Sequence, residues 1–264
     1  MKYTGAVFFD NDGTLTDDLQ GIKIPTKATV DAIHRLGERG YLTALCTGRT
    51  ITYAGHVAKF FDASISSNGT YAVVGDEVVF DCPMNPDDVE KITDYMDSEG
   101  ILYMLDNPHG CYISDINSKL FSDWCKMYNI PGDVYTGDSD KRPKQVYKIG
   151  MLCNTQGQLD MSIKLFGKMF DIDPYQGTLF SDVSTPGIGK GSGVQAVIEY
   201  FGIDRENTYA FGDGTNDISM FKIVGHGIAM GVHGKRLEEY AEFITKNVED
   251  DGIAFGLKYY GLTD

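Results

Sequence analysis

The fold of the chain is decided by the stretch Ala6-Val7-Phe8-Phe9-Asp10-Asn11-Asp12-Gly13-Thr14-Leu15. Its four apolar residues form a continuous run, as expected of a strand that is buried on both faces of a sheet. Asp10 and Asp12 follow the run directly, and Gly13 permits a tight turn. Open α/β sheets bind ligands at the carboxyl ends of their strands. The stretch therefore predicts a buried parallel strand that delivers two carboxylates to a binding edge.

A helix and a second strand follow the aspartate loop. Val30, Ile33, His34 and Gly37 recur with the spacing of one helical face, and a glycine ends the helix. Residues 41–45 read as a second strand. Strand, helix and strand make a βαβ unit, and such units build parallel sheets.

The middle of the chain carries strands and helices of its own. Residues 73–79 favour a hairpin with a two-residue Gly-Asp turn, and Asn85-Pro86 is typical of a helix start. Two further strand-like runs and a second helical stripe follow before Pro186, where the pattern of the first segment resumes. The predicted fold class is α/β, with a Rossmann-like parallel sheet core formed by residues 1–80 and 185–264 and an inserted α+β domain at residues 81–184.

Composition narrows the class of partner. The 264 residues carry a net charge of −15, which repels nucleic acid and anionic membranes, so we expect neither as a partner. The chain contains no apolar run of the roughly 18 residues that span a bilayer. Five cysteines without a CxxC pair indicate reduced thiols and a cytoplasmic protein. An anionic ligand would need local positive charge or backbone N–H groups.

The paired aspartates of the opening stretch are the first chemical signal. Two carboxylates two residues apart can hold a hard cation through oxygen ligands. They can also divide labour, with one as nucleophile and the other as proton donor and acceptor. A bare pair of this kind more often satisfies the N–H groups of a turn. The full string through Leu15, placed directly after an apolar strand, favours the functional interpretation.

Two weaker signals come later in the chain. Thr47-Gly48-Arg49 follows the second strand, where a hydroxyl and backbone N–H groups can bind phosphate oxygens, although Thr47 could equally cap a helix. Lys190 lies at the start of a later helix, where it can meet a phosphate as a point charge. An isolated lysine at such a place is more often a solvated surface residue.

The fourth signal is the string Gly212-Asp213-Gly214-Thr215-Asn216-Asp217, again after a strand. Asp213 can complete an oxygen shell around Mg²⁺ together with Asp10. Asp217 lies four residues further on and could hold Lys190. An acidic turn without a function is the alternative, and the length and placement of the string make it the weaker one.

Taken together and in this order, the four signals resemble the four motifs of the haloacid dehalogenase-like hydrolase superfamily. The resemblance covers essentially the whole chain. The insertion between the second and third motifs is similar to a C2-type cap domain. The Ser67-Asn68-Gly69 turn and the Asp251-Gly252 pair look like the Cof-like sugar-phosphatase branch.

The resemblance implies a role for each matching residue. It implies a phosphatase in which Asp10 attacks phosphorus and Asp12 acts as general acid and base. It implies Mg²⁺ on the carboxylates of Asp10 and Asp213 and on the backbone carbonyl of Asp12. The residues it assigns to the transferring phosphoryl group are Thr47, Gly48, Lys190 and Asn216. It assigns Asp217 no direct contact with the metal. This residue would either support the groups that bind the metal or contact the metal weakly through water.

Several alternatives remain open from sequence. A phosphomutase would pass the same phosphoryl group to a sugar hydroxyl, and a catalytically silent member would only bind phosphate. A receiver-like switch is disfavoured by the length of the chain and by an acceptor at position 10, and a dehalogenase does not need Asp12. The expected substrate is a small phosphate ester, with a sugar phosphate favoured over nucleotide or cofactor phosphates such as pyridoxal phosphate or flavin mononucleotide. Nothing in the sequence specifies an oligomeric state.

Overall fold

The structure is a computed structural model that describes residues 3–18, 20–128, 130–131, 133–175 and 177–264. Its elements fall into three blocks along the chain. The first comprises β1 (Gly5–Phe9), α1 (Lys27–Glu38), β2 (Tyr41–Cys46), α2 (Ile51–Ala58), β3 (Ala63–Ser66), β4 (Tyr71–Val74) and β5 (Glu77–Asp81). The second comprises α3 (Pro86–Ser98), β6 (Leu102–Asn107), β7 (Gly110–Ile113), α4 (Lys119–Met127), β8 (Tyr135–Thr136), β9 (Lys148–Leu152), α5 (Gln156–Phe166), β10 (Asp171–Pro174) and β11 (Phe180–Ser184). The third comprises α6 (Lys190–Phe201), β12 (Thr208–Gly212), α7 (Ile218–Ile223), β13 (His226–Ala229), β14 (Phe243–Ile244) and α8 (Gly252–Tyr259).

Two compact units account for these blocks. The first and third blocks together form the core unit, which runs to Asp81 and resumes from Gly189 to Asp264. The second block forms the inserted unit, Cys82–Ile188. Among the described residues, no helix combines the length and the apolar character needed to cross a bilayer.

The core unit is built on one eight-stranded sheet, ordered β14-β13-β12-β1-β2-β3-β4-β5. The strands from β14 to β3 run parallel, and β4 and β5 continue the edge as an antiparallel hairpin. The predicted Gly-Asp turn joins that hairpin, with Gly75 at φ 56°. This parallel-rich sheet confirms the predicted α/β fold class.

The opening apolar run is the central strand of this sheet. Phe8 and Phe9 have no exposed surface, and each contributes about 1.5–3 kcal/mol by leaving water. Phe8 packs into the cluster that includes Val194 of α6, whereas Phe9 packs into the opposite cluster with Ile33 of α1. Helices therefore cover both faces, which is why the strand sequence is apolar without alternation.

The structure corrects the buried face of α1. The helix buries Thr29, Ala32, Ile33 and Leu36, while His34 and Gly37 of the predicted stripe are exposed. Both stripes have the same spacing and differ by a one-residue rotation. Spacing alone therefore predicted the helix but misplaced the face that turns towards the sheet.

The inserted unit carries a six-stranded sheet, ordered β10-β11-β9-β6-β7-β8, in which all pairs except β7 with β8 are antiparallel. Its first helix begins as predicted, with the Asn85 side chain accepting from the N–H groups of Asp87 and Asp88 and with Pro86 in the first turn. Hydrophobic clusters lie on both faces of the sheet, one with α3 and α5 and the other with α4.

Candidate active site

Three neighbouring parallel strands end at one edge of the core sheet, and the candidate residues follow those ends. Asp10 comes directly after β1, Thr47 after β2 and Asp213 after β12. Since β1 lies between β12 and β2, the three loops are adjacent. The Asp10 N–H donates to the carbonyl of Phe211 at 3.0 Å, which extends the sheet pairing up to the carboxylate.

Lys190 joins two of the predicted carboxylates. Its Nζ lies 2.5 Å from Oδ1 of Asp10 and 2.6 Å from Oδ1 of Asp217, and its side chain is fully buried. The surface-lysine alternative is therefore wrong. Burial alone would lower the pKa of Lys190, but the carboxylates of Asp10 and Asp217 raise it above its usual value, so the lysine is a fixed positive charge.

Asp217 uses both carboxylate oxygens inside the protein. Oδ1 accepts from Lys190, and Oδ2 accepts from the backbone N–H groups of Asp213 and Gly214 at 2.9 and 2.8 Å. Asp217 has no exposed surface. Its carboxylate therefore fixes the loop that carries Asp213 and orients the lysine at the same time.

Asp213 lies against the loop of the first motif. Its Oδ1 accepts from the Thr14 hydroxyl at 3.2 Å. Gly13 has φ 79°, and a Cβ atom there would lie 2.4 Å from Oδ2 of Asp213. Position 13 therefore requires glycine for two reasons. Its backbone has a positive φ, and Asp213 occupies the space that a side chain would need.

A cation fits among these carboxylates. Asp10, Asp213 and Asp217 each offer an oxygen within 4.8 Å of the others. Burial, and next the charge of Asp217, raises the pKa of Asp10 well above its usual range and that of Asp213 to about 6. Two buried carboxylates and a third that is partly buried, facing one ammonium group, leave an excess of negative charge, and hard divalent cations prefer such oxygen ligands. Since Asp217 is fully engaged, Asp10 and Asp213 are the carboxylates that suit a metal ion.

Asp12 lies beside the buried group and has a partner that the sequence did not predict. Its side chain is about half exposed, and Oδ2 accepts from Nε of Arg49 at 2.8 Å while Oδ1 contacts Nη2. The guanidinium stacks on the ring of Tyr53, 4.2 Å from the ring centre. Bidentate pairing of this kind fixes the orientation of a carboxylate. The one signal in the sequence is that Arg49 belongs to the Thr47-Gly48 loop.

The remaining predicted residues lie around the loop after β2. Thr47 is fully buried, and its hydroxyl accepts from the N–H of Arg49 at 3.1 Å. Helix α2 begins later, with Thr50 as its N-cap residue, so the helix-cap alternative for Thr47 is wrong. Asn216 is exposed, and its Nδ2 donates to Oδ1 of Asn68 at 3.4 Å. Asn68, a residue with no assigned role, thus contacts Asn216 through its side chain and Thr47 through its backbone N–H.

A further buried group completes the base of the site. Cys46 ends β2 and has no exposed surface. Burial strongly raises the pKa of its thiol. The thiol therefore stays protonated and acts as a small apolar residue, not as a nucleophile.

Comparison with known proteins agrees with the motifs. The profile of a family described as haloacid dehalogenase-like hydrolase matches residues 7–257. YkrA, a candidate phosphatase of Bacillus subtilis (strain 168), is 30% identical over 261 residues, an alignment that covers 97% of each chain. Two solved structures are similar throughout. A hypothetical protein from Geobacillus kaustophilus HTA426 has a TM-score of 0.88 at 28% identity, covering 98% of this chain and 99% of that one. The subclass IIB sugar phosphatase BT4131 has a TM-score of 0.82 at 25% identity, covering 98% and 100%.

Proposed function

The chain belongs to the haloacid dehalogenase-like hydrolases and is a phosphatase of that superfamily, and from this premise we propose that it hydrolyses a sugar phosphate or a similar small phosphorylated metabolite with Mg²⁺. The observation that carries the proposal is the buried Lys190, which lies between Asp10 and Asp217 beside a third carboxylate. To this arrangement we assign a nucleophile, a fixed positive charge and a place for a cation at one sheet edge.

The proposed reaction has two steps. In the first, a carboxylate oxygen of Asp10 forms a bond to phosphorus while the bond to the ester oxygen breaks, and Asp12 gives that oxygen a proton. In the second, water attacks the phosphorus of the aspartyl phosphate and gives its proton to Asp12, which releases inorganic phosphate and restores Asp10. Arg49 donates to both carboxylate oxygens of Asp12 and so determines the direction from which the proton is delivered.

Charge stabilisation comes from the residues around the nucleophile. We assign the phosphoryl oxygens to Lys190, to the loop of Thr47 and Gly48, and to Asn216. Mg²⁺, held by the carboxylates of Asp10 and Asp213 and the carbonyl of Asp12, would supply the charge that lets an anionic nucleophile approach an anionic ester. Asp217 keeps Lys190 and the Asp213 loop in place and takes no part in bond making.

Two further assignments complete the proposal. We propose that the inserted unit, Cys82–Ile188, is the C2-type cap. We place the enzyme in the cytoplasm, because its five cysteines are all thiols and an oxidising compartment would favour disulfides.

The test is phosphate release from an aryl phosphate and from a panel of sugar phosphates, with and without Mg²⁺. We expect activity that chelation removes, and we expect Asp10→Asn to abolish it while circular dichroism and thermal unfolding show a folded protein. Asp10→Asn replaces the nucleophile with an amide of the same shape, so it separates chemistry from folding. Full turnover by that variant, or full activity after exhaustive chelation, contradicts the proposal. Conversion of one sugar phosphate isomer into another without phosphate release indicates a phosphomutase instead.

A further inference from the structure

The turn Ser67–Gly69 has an unusual backbone. Ser67 and Asn68 have φ values of 50° and 56°, and Gly69 follows at 88°. Asp251 is the one other non-glycine residue with positive φ in the part of the chain that the structure describes. Left-handed conformations cost free energy for residues with a side chain, and they persist where the surroundings hold them.

Three neighbours hold this turn. The N–H groups of Ser67 and Asn68 donate to the carbonyls of Arg49 and Thr47 at 2.9 and 3.2 Å. On the other side, a Cβ atom on Gly69 would lie 2.1 Å from the carbonyl of Gly189, directly before α6. The turn is therefore wedged between the loop after β2 and the start of the helix that carries Lys190.

The side chain of Asn68 is delivered to the phosphoryl-binding loop by this backbone. Its Oδ1 accepts from Nδ2 of Asn216 at 3.4 Å. A Cβ atom built on Gly48 would lie 2.7 Å from the same oxygen, and the three nearest atoms to it all belong to Asn68. The carboxamide thus lies against the backbone of Gly48 and contacts Asn216. Gly48 and Asn216 are two of the groups that we assign to the phosphoryl oxygens.

We propose that Asn68 is a positioning residue for phosphoryl binding, with its carboxamide orienting the Asn216 amide above the Gly48 backbone. The inference rests on the proposed function, since it takes Gly48 and Asn216 as phosphoryl-binding groups. It explains why residue 48 is glycine, because a side chain there would displace the carboxamide. It also explains why a strained turn is kept at this place, because the left-handed backbone sets the direction of the Asn68 side chain.

The experiment compares Asn68→Gly with Ser67→Gly. Both substitutions suit a left-handed backbone, so neither is expected to lower the melting temperature. The Ser67 hydroxyl is buried and has no hydrogen-bond partner among the described residues, so its removal leaves the carboxamide contacts intact. We expect Asn68→Gly to weaken binding of inorganic phosphate in the presence of Mg²⁺ about tenfold, as for the loss of one oriented hydrogen bond, and to raise KM by a similar factor. Ser67→Gly keeps the native affinity.

A double-mutant cycle adds a readout that a general loss of stability does not produce. Gly48→Ala is expected to weaken phosphate binding in the native chain. The same substitution has little further effect in the Asn68→Gly variant, because the atoms that its methyl group would meet have gone. Calorimetric titration with inorganic phosphate measures all four proteins without requiring turnover.

The outcomes separate this inference from the proposed function. An active enzyme in which Asn68→Gly binds phosphate with native affinity overturns the role of Asn68 and leaves the function intact. Equal losses in Asn68→Gly and Ser67→Gly also overturn it, because the stiffness of the turn would then be responsible. A native protein that binds phosphate without hydrolysing any ester contradicts the function, while the cycle still decides the role of Asn68. A native protein that binds no phosphate overturns both.

Discussion

Each unit of the molecule buries one lysine between two aspartates. In the core unit, Lys190 lies between Asp10 and Asp217 at 2.5 and 2.6 Å. In the inserted unit, Lys148 lies between Asp106 and Asp182 at 3.4 and 3.1 Å, and it is also almost completely buried. A lysine with two carboxylates is therefore not by itself evidence of an active site.

The two groups differ in what else surrounds the carboxylates. In the inserted unit, the hydroxyl of Tyr135 donates to Asp106 at 3.2 Å, and that of Tyr175 donates to Asp182 at 3.3 Å. These tyrosines stay protonated, since burial raises the pKa of Tyr135 and the charge of Asp182 raises that of Tyr175. Lys148 thus belongs to a network in which tyrosine hydroxyls, as well as the lysine, donate hydrogen bonds to the buried carboxylates, as buried polar groups require.

The group around Lys190 has an additional carboxylate, and the hydroxyl that donates to it is that of Thr14, not of a tyrosine. Asp213 joins Asp10 and Asp217 there, and its pKa is raised to about 6 by burial and by Asp217. The excess of negative charge makes this group suited to a cation. A larger excess of negative charge, more than a buried ion pair, therefore distinguishes the proposed catalytic group from the structural one.

The largest expected contrast comes from matched removal of the two lysines. Lys190→Met should reduce turnover of an aryl phosphate by about 10²–10³-fold or more, because the proposed function assigns the lost charge to the phosphoryl oxygens. Lys148→Met should instead lower the free energy of unfolding by about 3–5 kcal/mol, because it leaves buried carboxylates without their partner. Steady-state kinetics at low temperature and urea unfolding measure the two effects. If both variants are folded and lose turnover equally, the distinction between the groups is wrong.

The second contrast is the response to Mg²⁺. Without metal, the folded protein binds a proton at Asp213 more tightly than the unfolded chain does, because the folded pKa is about 6 and the ordinary value is 3.8. This group therefore makes the metal-free protein less stable as the pH rises from 3.8 through about 6. Mg²⁺ at a hundred times its dissociation constant should add about 2.7 kcal/mol above that range and less below it.

Thermal unfolding at pH 5 and pH 8 with and without Mg²⁺ checks this second contrast. Asp213→Asn should remove most of the response, whereas Lys148→Met should keep it because Lys148 belongs to the other group. An equal stabilisation by Mg²⁺ at both pH values, or one that survives Asp213→Asn, contradicts a metal site at Asp213.

The smallest expected effect lies in the tyrosine network. Tyr135→Phe should cost about 0.5–1.5 kcal/mol, the net value of one hydrogen bond, without changing turnover of an aryl phosphate. Tyr175→Phe should cost less, because Tyr175 is 41% exposed and water can replace its contact. Chemical denaturation measures both, and a loss of turnover without a loss of stability would give this network a catalytic part.

The sequence predicted the fold class, the central strand, the hairpin turn and the start of α3, because each depends on neighbouring residues. The face of α1 was misplaced because two stripes one residue apart have equal spacing. The pairing of Arg49 with Asp12 could not be derived, since it depends on how two loops from different strands approach each other. The position of Asn68 had no signal in spacing either, because a left-handed turn at a serine and an asparagine is imposed by tertiary contacts.

The placement of β1 in the sheet also determines when the proposed catalytic group can form. Ala6 pairs with Leu42 on one side and with Thr208 on the other. At synthesis rates of about 5–20 residues per second, β1 waits roughly 10–40 s for its second neighbour. Lys190 is made shortly before β12, and until β12 arrives one edge of β1 has no neighbouring strand. The ribosome therefore supplies every residue of the proposed catalytic group only after it has made about four-fifths of the chain, and a product that ends before Lys190 carries Asp10 without its lysine.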